Sequence, residues 1–232
     1  MTHAATAVVL SMLGAVVGLD YVSFPQAMLS RPLVAATLAG FACGNTTAGL
    51  LVGVLLECFA LETMPFGASR YPEWGPASVA AGAIAAVPSG NPDDVARALP
   101  FAVLAGLVCG MVGGITLVWL RRFNLTVAQR YREELAAGDA AAVVAVHWTG
   151  LVIDFGRAGA VTALFALLLL PARDLLLQAL DSMSVSVSLA LTSTLAIGVG
   201  GGAVWKVVHT TKGYTWYLLA GLVAGVALTV ML

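Results

Sequence analysis

The sequence predicts an all-α, polytopic integral membrane protein with full-length transmembrane helices and short, broken or re-entrant helices in its N-terminal third. Two observations carry that prediction. Of the 232 residues, 60% are hydrophobic and only 10% are charged, with a mean hydropathy of +0.95. A soluble domain averages about 25% charged residues, so this chain cannot cover its apolar surface with charge. The apolar residues also fall into long runs separated by turn-rich pieces, and several runs reach the roughly 20 residues that span the hydrocarbon core.

The first apolar run, about Ala4 to Leu19, carries Gly14 and Gly18 on one face, where another helix can approach closely. It carries no basic leader, so it is expected to be retained, and Asp20 is expected to end it. Asp20 to Arg31 is polar and broken by Pro25, and Pro32 disfavours helix at Arg31. Two short apolar pieces follow, Pro32 to Cys43 and Thr46 to Leu61, separated by Gly44 and Asn45. Short interrupted hydrophobic segments with polar residues at the breaks point to a transporter binding site.

Glu62 to Pro76 reads as a turn-rich interface segment, Ala77 to Val87 as a further short apolar piece, and Ser89 to Arg97 as a solvated loop. Full spans are expected at Leu99 to Leu120, His147 to Leu170 (closed by Pro171), Ser184 to Val204 and Tyr214 to Leu232. The chain thus divides, within one membrane domain, into a broken-helix half (residues 1–97) and a full-span half (residues 98–232). The segment 121–139 carries four arginines and reads as a charged surface helix. The positive-inside rule places it in the cytoplasm.

Several function classes are excluded or disfavoured. The net charge of −1 speaks against nucleic acid as a partner. Cys43, Cys58 and Cys109 sit in apolar runs without metal-ligand spacing and read as small buried hydrophobes. No phosphate-binding loop, dinucleotide fingerprint or nucleophile elbow is present, so no catalytic residue, cofactor or metal is expected in the chain itself.

An ionisable side chain in a membrane helix is costly, and is a functional candidate by default. Glu57 shares a helix face with Gly49 and Gly53, which points it into a helix contact. There it can accept hydrogen bonds from a sugar's hydroxyls, or pair with a basic residue such as Arg31. Asp20, Gln26, Ser30, Arg31 and Asn45 gather at the helix breaks. They suit a polyhydroxylated ligand, although Ser30 and Asn45 individually read better as helix caps. His147, Gly150, Asp154 and Arg157 form one helical stripe. Asp154 and Arg157 are spaced to make a structural ion pair, which is favoured over a proton relay through His147.

The block from Leu19 to Asn45, followed by Gly49 to Ala68, resembles the IIC membrane component of mannose/fructose/sorbose-type bacterial phosphotransferase systems. The resemblance rests on Asp20, Gln26, Ser30-Arg31-Pro32, Gly44-Asn45, Glu57-Cys58 and Pro65-Phe66-Gly67-Ala68, and more weakly on His147, Arg157 and Lys212-Gly213-Tyr214. Asn45 stands where the family usually has Asp, Cys58 where Leu is common, and the chain ends about a helix short of longer members. The resemblance implies a multi-pass protein of the bacterial cytoplasmic membrane, in an oligomeric complex with a IID membrane subunit. It would translocate a sugar by an elevator motion for phosphorylation by a separate cytoplasmic IIB protein, itself served by IIA. Substrate contacts would come from Glu57, Gln26, Arg31, Asp20, Ser30, Asn45 and Gly67. A non-transporting regulatory or docking protein derived from that family, and an ion-coupled secondary transporter, remain as alternatives.

Overall fold

A computed structural model describes residues 3–61, 71–88, 93–179, 184–209 and 212–231. Gly67 and the rest of residues 62–70, expected to form an interface turn, lie outside the described residues. The elements are all helical: α1 (His3–Val22), α2 (Pro32–Ala42), α3 (Thr46–Ala60), α4 (Trp74–Ala86), α5 (Asp94–Arg130), α6 (Arg132–Ala136), α7 (Ala140–Ala179), α8 (Val185–Val208) and α9 (Tyr214–Met231). Among the described residues, α1, α5, α7 and α8 are long and apolar enough to cross a membrane.

Small residues set the packing. A Cβ on Gly14 would lie 2.0 Å from Thr162 Oγ1, and one on Gly18 would lie 2.3 Å from the Ala158 Cβ. The small-residue face of α1 therefore seats on α7, and Ser11 Oγ ties the two helices by donating to the Gly159 carbonyl at 3.0 Å. The α2–α3 hairpin closes the same way. Gly49 lies against the Ala36 carbonyl, where a Cβ would approach to 2.3 Å, and Gly40 lies against Gly49. Gly44 turns the hairpin at φ +85°, a conformation open to glycine without strain. Asn45 then caps α3, its Oδ1 accepting from Ala48 N at 3.1 Å.

All thirteen residues of α4 are buried. At 1.5 Å per residue it is roughly 20 Å long, well short of a hydrocarbon core of about 30 Å. It runs through the interior between α1, α2, α3, α5 and α7, and its alanines and Gly82 let α2 approach within contact of backbone atoms.

Several boundaries differ from the sequence expectations, α7 also starting at Ala140 rather than His147. Helix α1 continues through Asp20 to Val22. The expected span Leu99–Leu120 and most of the charged segment after it are one helix, α5, starting already at Asp94 and running to Arg130. Charge marks where a helix leaves the membrane, not where it ends, so the apolar boundary and the helix boundary do not coincide. Helix α7 passes through Pro171 to Ala179, as α5 passes through Pro100. Proline removes one amide donor, and in a membrane helix neighbouring groups can satisfy the freed carbonyl. Finally, α4 begins at Trp74 inside the supposed interface turn.

Candidate functional site

The breaks in the N-terminal third enclose an open cavity of about 410 Å3. Its lining brings together Asp20, Gln26, Ser30 and Arg31, with Tyr21, Tyr71 and Trp74 as an aromatic wall. Asp20 organises the loop from the end of α1. It is buried, its Oδ1 accepts from Ala27 N, and its Oδ2 accepts from Ser30 N at 2.8 Å. The carboxylate thus gathers a proline-broken segment whose amides have no helix to bond into. Within that loop Gln26 and Met28 take φ +59° and +62°, left-handed conformations that non-glycine residues adopt only when their surroundings hold them. Gln26 Nε2 donates back to the Val22 carbonyl at 3.0 Å.

Glu57 does not line the cavity but bonds to Arg31, which does. Arg31 Nε donates to Glu57 Oε1 at 2.8 Å, Arg31 Nη2 donates to the same oxygen, and Leu33 N donates to Oε2 at 3.1 Å. Leu33 is in the first turn of α2, where the helix dipole favours a negative charge. Glu57 therefore fixes the Arg31 guanidinium at the cavity edge, the basic-partner arrangement weighed above. Asn45 is placed elsewhere, at the opposite end of the α2–α3 hairpin as the α3 cap.

The expected Asp154–Arg157 ion pair is present, but the sequence missed its third charged member, Glu73, which makes it a buried charge cluster. Arg157 on α7 donates through Nη1 and Nη2 to Glu73 Oε2 and Oε1 at 2.6 and 2.7 Å. It also donates through Nε and Nη2 to Asp154 Oδ1 at 3.1 and 2.7 Å, and through Nη1 to Thr116 Oγ1 at 2.9 Å. All five N–H groups of the guanidinium are thereby used. Ser23 Oγ donates to the other Asp154 oxygen. Glu73 and Asp154 are fully buried. Glu73 immediately precedes α4 and sits between Tyr71 and Trp74, so the cluster anchors the aromatic wall. Through Ser23 it also anchors the end of α1 that leads into the cavity loop. Its signal was an acidic residue abutting an apolar, small-residue helix, but its arginine lies 84 positions away. His147 is exposed and lines a separate apolar cavity with Trp148 and Phe24.

The aromatic wall is itself tied down. The Tyr21 and Tyr71 rings meet edge to face, centroids 5.5 Å apart. The Tyr21 hydroxyl donates to the Pro72 carbonyl at 2.9 Å. Arg121 Nη2 donates to the Tyr71 hydroxyl at 2.6 Å, with the guanidinium carbon 5.0 Å from the ring centre.

The family model described as the sorbose-specific IIC component of the phosphotransferase system matches residues 4–232. The chain belongs to this IIC family. It is a multi-pass protein of the bacterial cytoplasmic membrane. Among curated proteins, the sorbose-specific EIIC component of Lacticaseibacillus casei is 27% identical over 144 residues, 61% of this chain and 48% of that protein. The fructose permease IIC component of Bacillus subtilis is 27% identical over 162 residues, 69% of this chain and 57% of that one. The matches thus span about half the length of those curated relatives. Two solved structures share the fold. A membrane-protein structure covers 100% of this chain and 92% of its own at a TM-score of 0.69 and 20% identity. The mannose transporter ManYZ in complex with microcin E492 covers 98% and 92% at a TM-score of 0.58 and 19% identity.

Proposed function

We propose that this IIC chain binds a hexose in the cavity enclosed by Asp20, Gln26, Ser30, Arg31 and the Tyr21–Tyr71 wall. It would carry the sugar across the membrane with a IID partner, for phosphorylation by a cytoplasmic IIB protein. The observation that carries this reading is the cavity itself. At about 410 Å3 it falls within the usual range for ligand sites, about 300–1,000 Å3. It combines acceptors and donors for hydroxyls with an apolar face suited to the C–H face of a sugar ring, and it sits where broken helices converge. In the reaction the P–N bond of a IIB phosphohistidine breaks and a P–O bond to a sugar hydroxyl forms. The hydroxyl proton passes to the histidine nitrogen or to water. No residue of this chain needs to carry the phosphoryl group.

The test is hexose binding and phosphoenolpyruvate-dependent phosphorylation by the reconstituted complex, with fructose, sorbose, mannose and glucose. Binding that weakens in both Gln26→Gly and Arg31→Gln supports the site. Wild-type affinity in both removes it. No binding of any hexose, with IIA or IIB binding retained, replaces transport by the regulatory reading. Uptake that persists without phosphoenolpyruvate and collapses with the proton gradient replaces it by ion-coupled transport.

A further inference from the structure

Among the described residues that line the cavity, Arg31 is the only cation. Only part of its guanidinium is engaged. Nε and Nη2 both donate to the same oxygen, Glu57 Oε1, and these two nitrogens form the side edge of the planar group. An arginine has five N–H donors, so three remain, both of those on Nη1 and the second on Nη2. Among the described residues Nη1 has no hydrogen-bond partner. The remaining donors include the parallel pair at the far end of the group, a fork that suits two neighbouring oxygen atoms. Arg31 lines the cavity, Glu57 does not, and the Arg31 side chain is 33% exposed. The end fork is therefore the part of the guanidinium left to a cavity ligand. Glu57 is held in turn by Leu33 N at 3.1 Å, so the fork rests on a fixed support.

Such a fork accepts either the two oxygens of an anion or two hydroxyls on adjacent ring carbons. Charge decides between them. Arg31 and Glu57 cancel, and Asp20 in the same lining leaves the described surroundings net negative. An anion gains no net attraction there, whereas a neutral diol loses nothing by the cancellation. We propose that Arg31 is the specificity residue of the site, its free end donating to two adjacent hydroxyls of a neutral hexose. Glu57 is its positioning residue, turning the guanidinium and cancelling its charge. The proposal deepens the transport reading and rests on it.

The test uses the reconstituted complex, the hexose it binds most tightly, and the monodeoxy analogues of that hexose. The wild type should lose about tenfold to a hundredfold in affinity for two analogues, deoxygenated at adjacent carbons, the size of a hydrogen bond to a charged group. Arg31→Gln should bind those two analogues and the parent hexose about equally. Arg31→Lys, a point donor rather than a fork, should recover the discrimination at one of the two carbons at most. An Arg31 variant that weakens every sugar by the same factor shows a merely structural role and overturns the proposal. So do sensitive carbons that are not adjacent. Glu57→Gln keeps an acceptor for the guanidinium but removes the cancelling charge, so it tests the charge argument even where Arg31 variants do not fold. It should improve binding of glucuronate relative to glucose by about tenfold, the effect of one uncompensated charge a few ångströms away. An unchanged ratio, or a wild-type preference for glucuronate over glucose, overturns the assignment to a neutral ligand. A wild-type complex that binds no hexose removes the transport reading itself, a different failure from any of these.

Discussion

Arg157 grips both carboxylate oxygens of Glu73, a residue 84 positions earlier in the chain, inside the helix bundle. The same guanidinium holds Asp154, so two acids share one base away from solvent. Breaking a buried pair by removing one partner is strongly destabilising because an uncompensated charge stays behind.

Arg157→Leu should cost about 3–5 kcal/mol of stability, the penalty for stranding buried carboxylates. Asp154→Asn should cost clearly less. Its amide oxygen can still accept from Ser23 or Arg157, and the remaining Glu73–Arg157 pair is balanced. Thermal unfolding of the purified protein in detergent checks the order; equal losses would show that charge balance is not what the cluster supplies.

Gly49→Ala should destabilise by about 1–3 kcal/mol, as an overpacked contact does. The new Cβ would sit 2.3 Å from the Ala36 carbonyl oxygen, and backbone cannot rotate away as a side chain can. Opening the α2–α3 hairpin also spreads Arg31 from Glu57, so hexose affinity should fall with stability. The comparison to make is Gly44→Ala, where φ is +85° but the added carbon meets nothing within 4 Å; it should strain the turn and leave the hairpin spacing intact.

Gln26→Gly separates side chain from backbone. Glycine accepts the φ of +59° freely, relieving a strain of about 1–2 kcal/mol, so stability should hold or rise while hexose affinity falls. A stable variant with undiminished affinity would free Gln26 of any role in the site.

Asn45→Ala should cost about 1 kcal/mol, the usual loss of a helix N-cap, with hexose affinity unmoved. Asn45→Asp should keep the cap, since a carboxylate accepts the Ala48 amide equally well. A change in affinity without a change in stability would place Asn45 back at the ligand.

The sequence revealed much of this architecture because its signals were local. Gly14 and Gly18, and Gly49 and Gly53, announced close helix contacts from their spacing alone, and the structure supplies the partners: α7 for the first pair, α2 for the second. The helix ends were less legible. Asp20, Pro171 and Arg121 look like stops, but each is tolerated inside a helix whose surroundings satisfy it. The candidate site was legible where its residues are neighbours, from Asp20 to Arg31. Tyr71, Glu73 and Trp74 look like an interface turn in the sequence because what buries them, α5 and α7, arrives later in the chain. Glu57 and Asn45 both stood at breaks in the pattern. Which of them approaches the cavity depends on the direction of the α2–α3 hairpin, which spacing cannot state.

The complete burial of α4 bears on how the protein is made. A thirteen-residue segment flanked by a carboxylate is too short to partition into lipid alone, and its arginine is synthesised 84 residues later. Nascent chains that stop short of α7 should therefore hold this segment outside the bilayer, where an Ala80→Cys thiol reacts with a membrane-impermeant reagent. Chains extended beyond α7 should protect it. Biogenesis would then proceed by late threading of a core helix between walls already inserted around it.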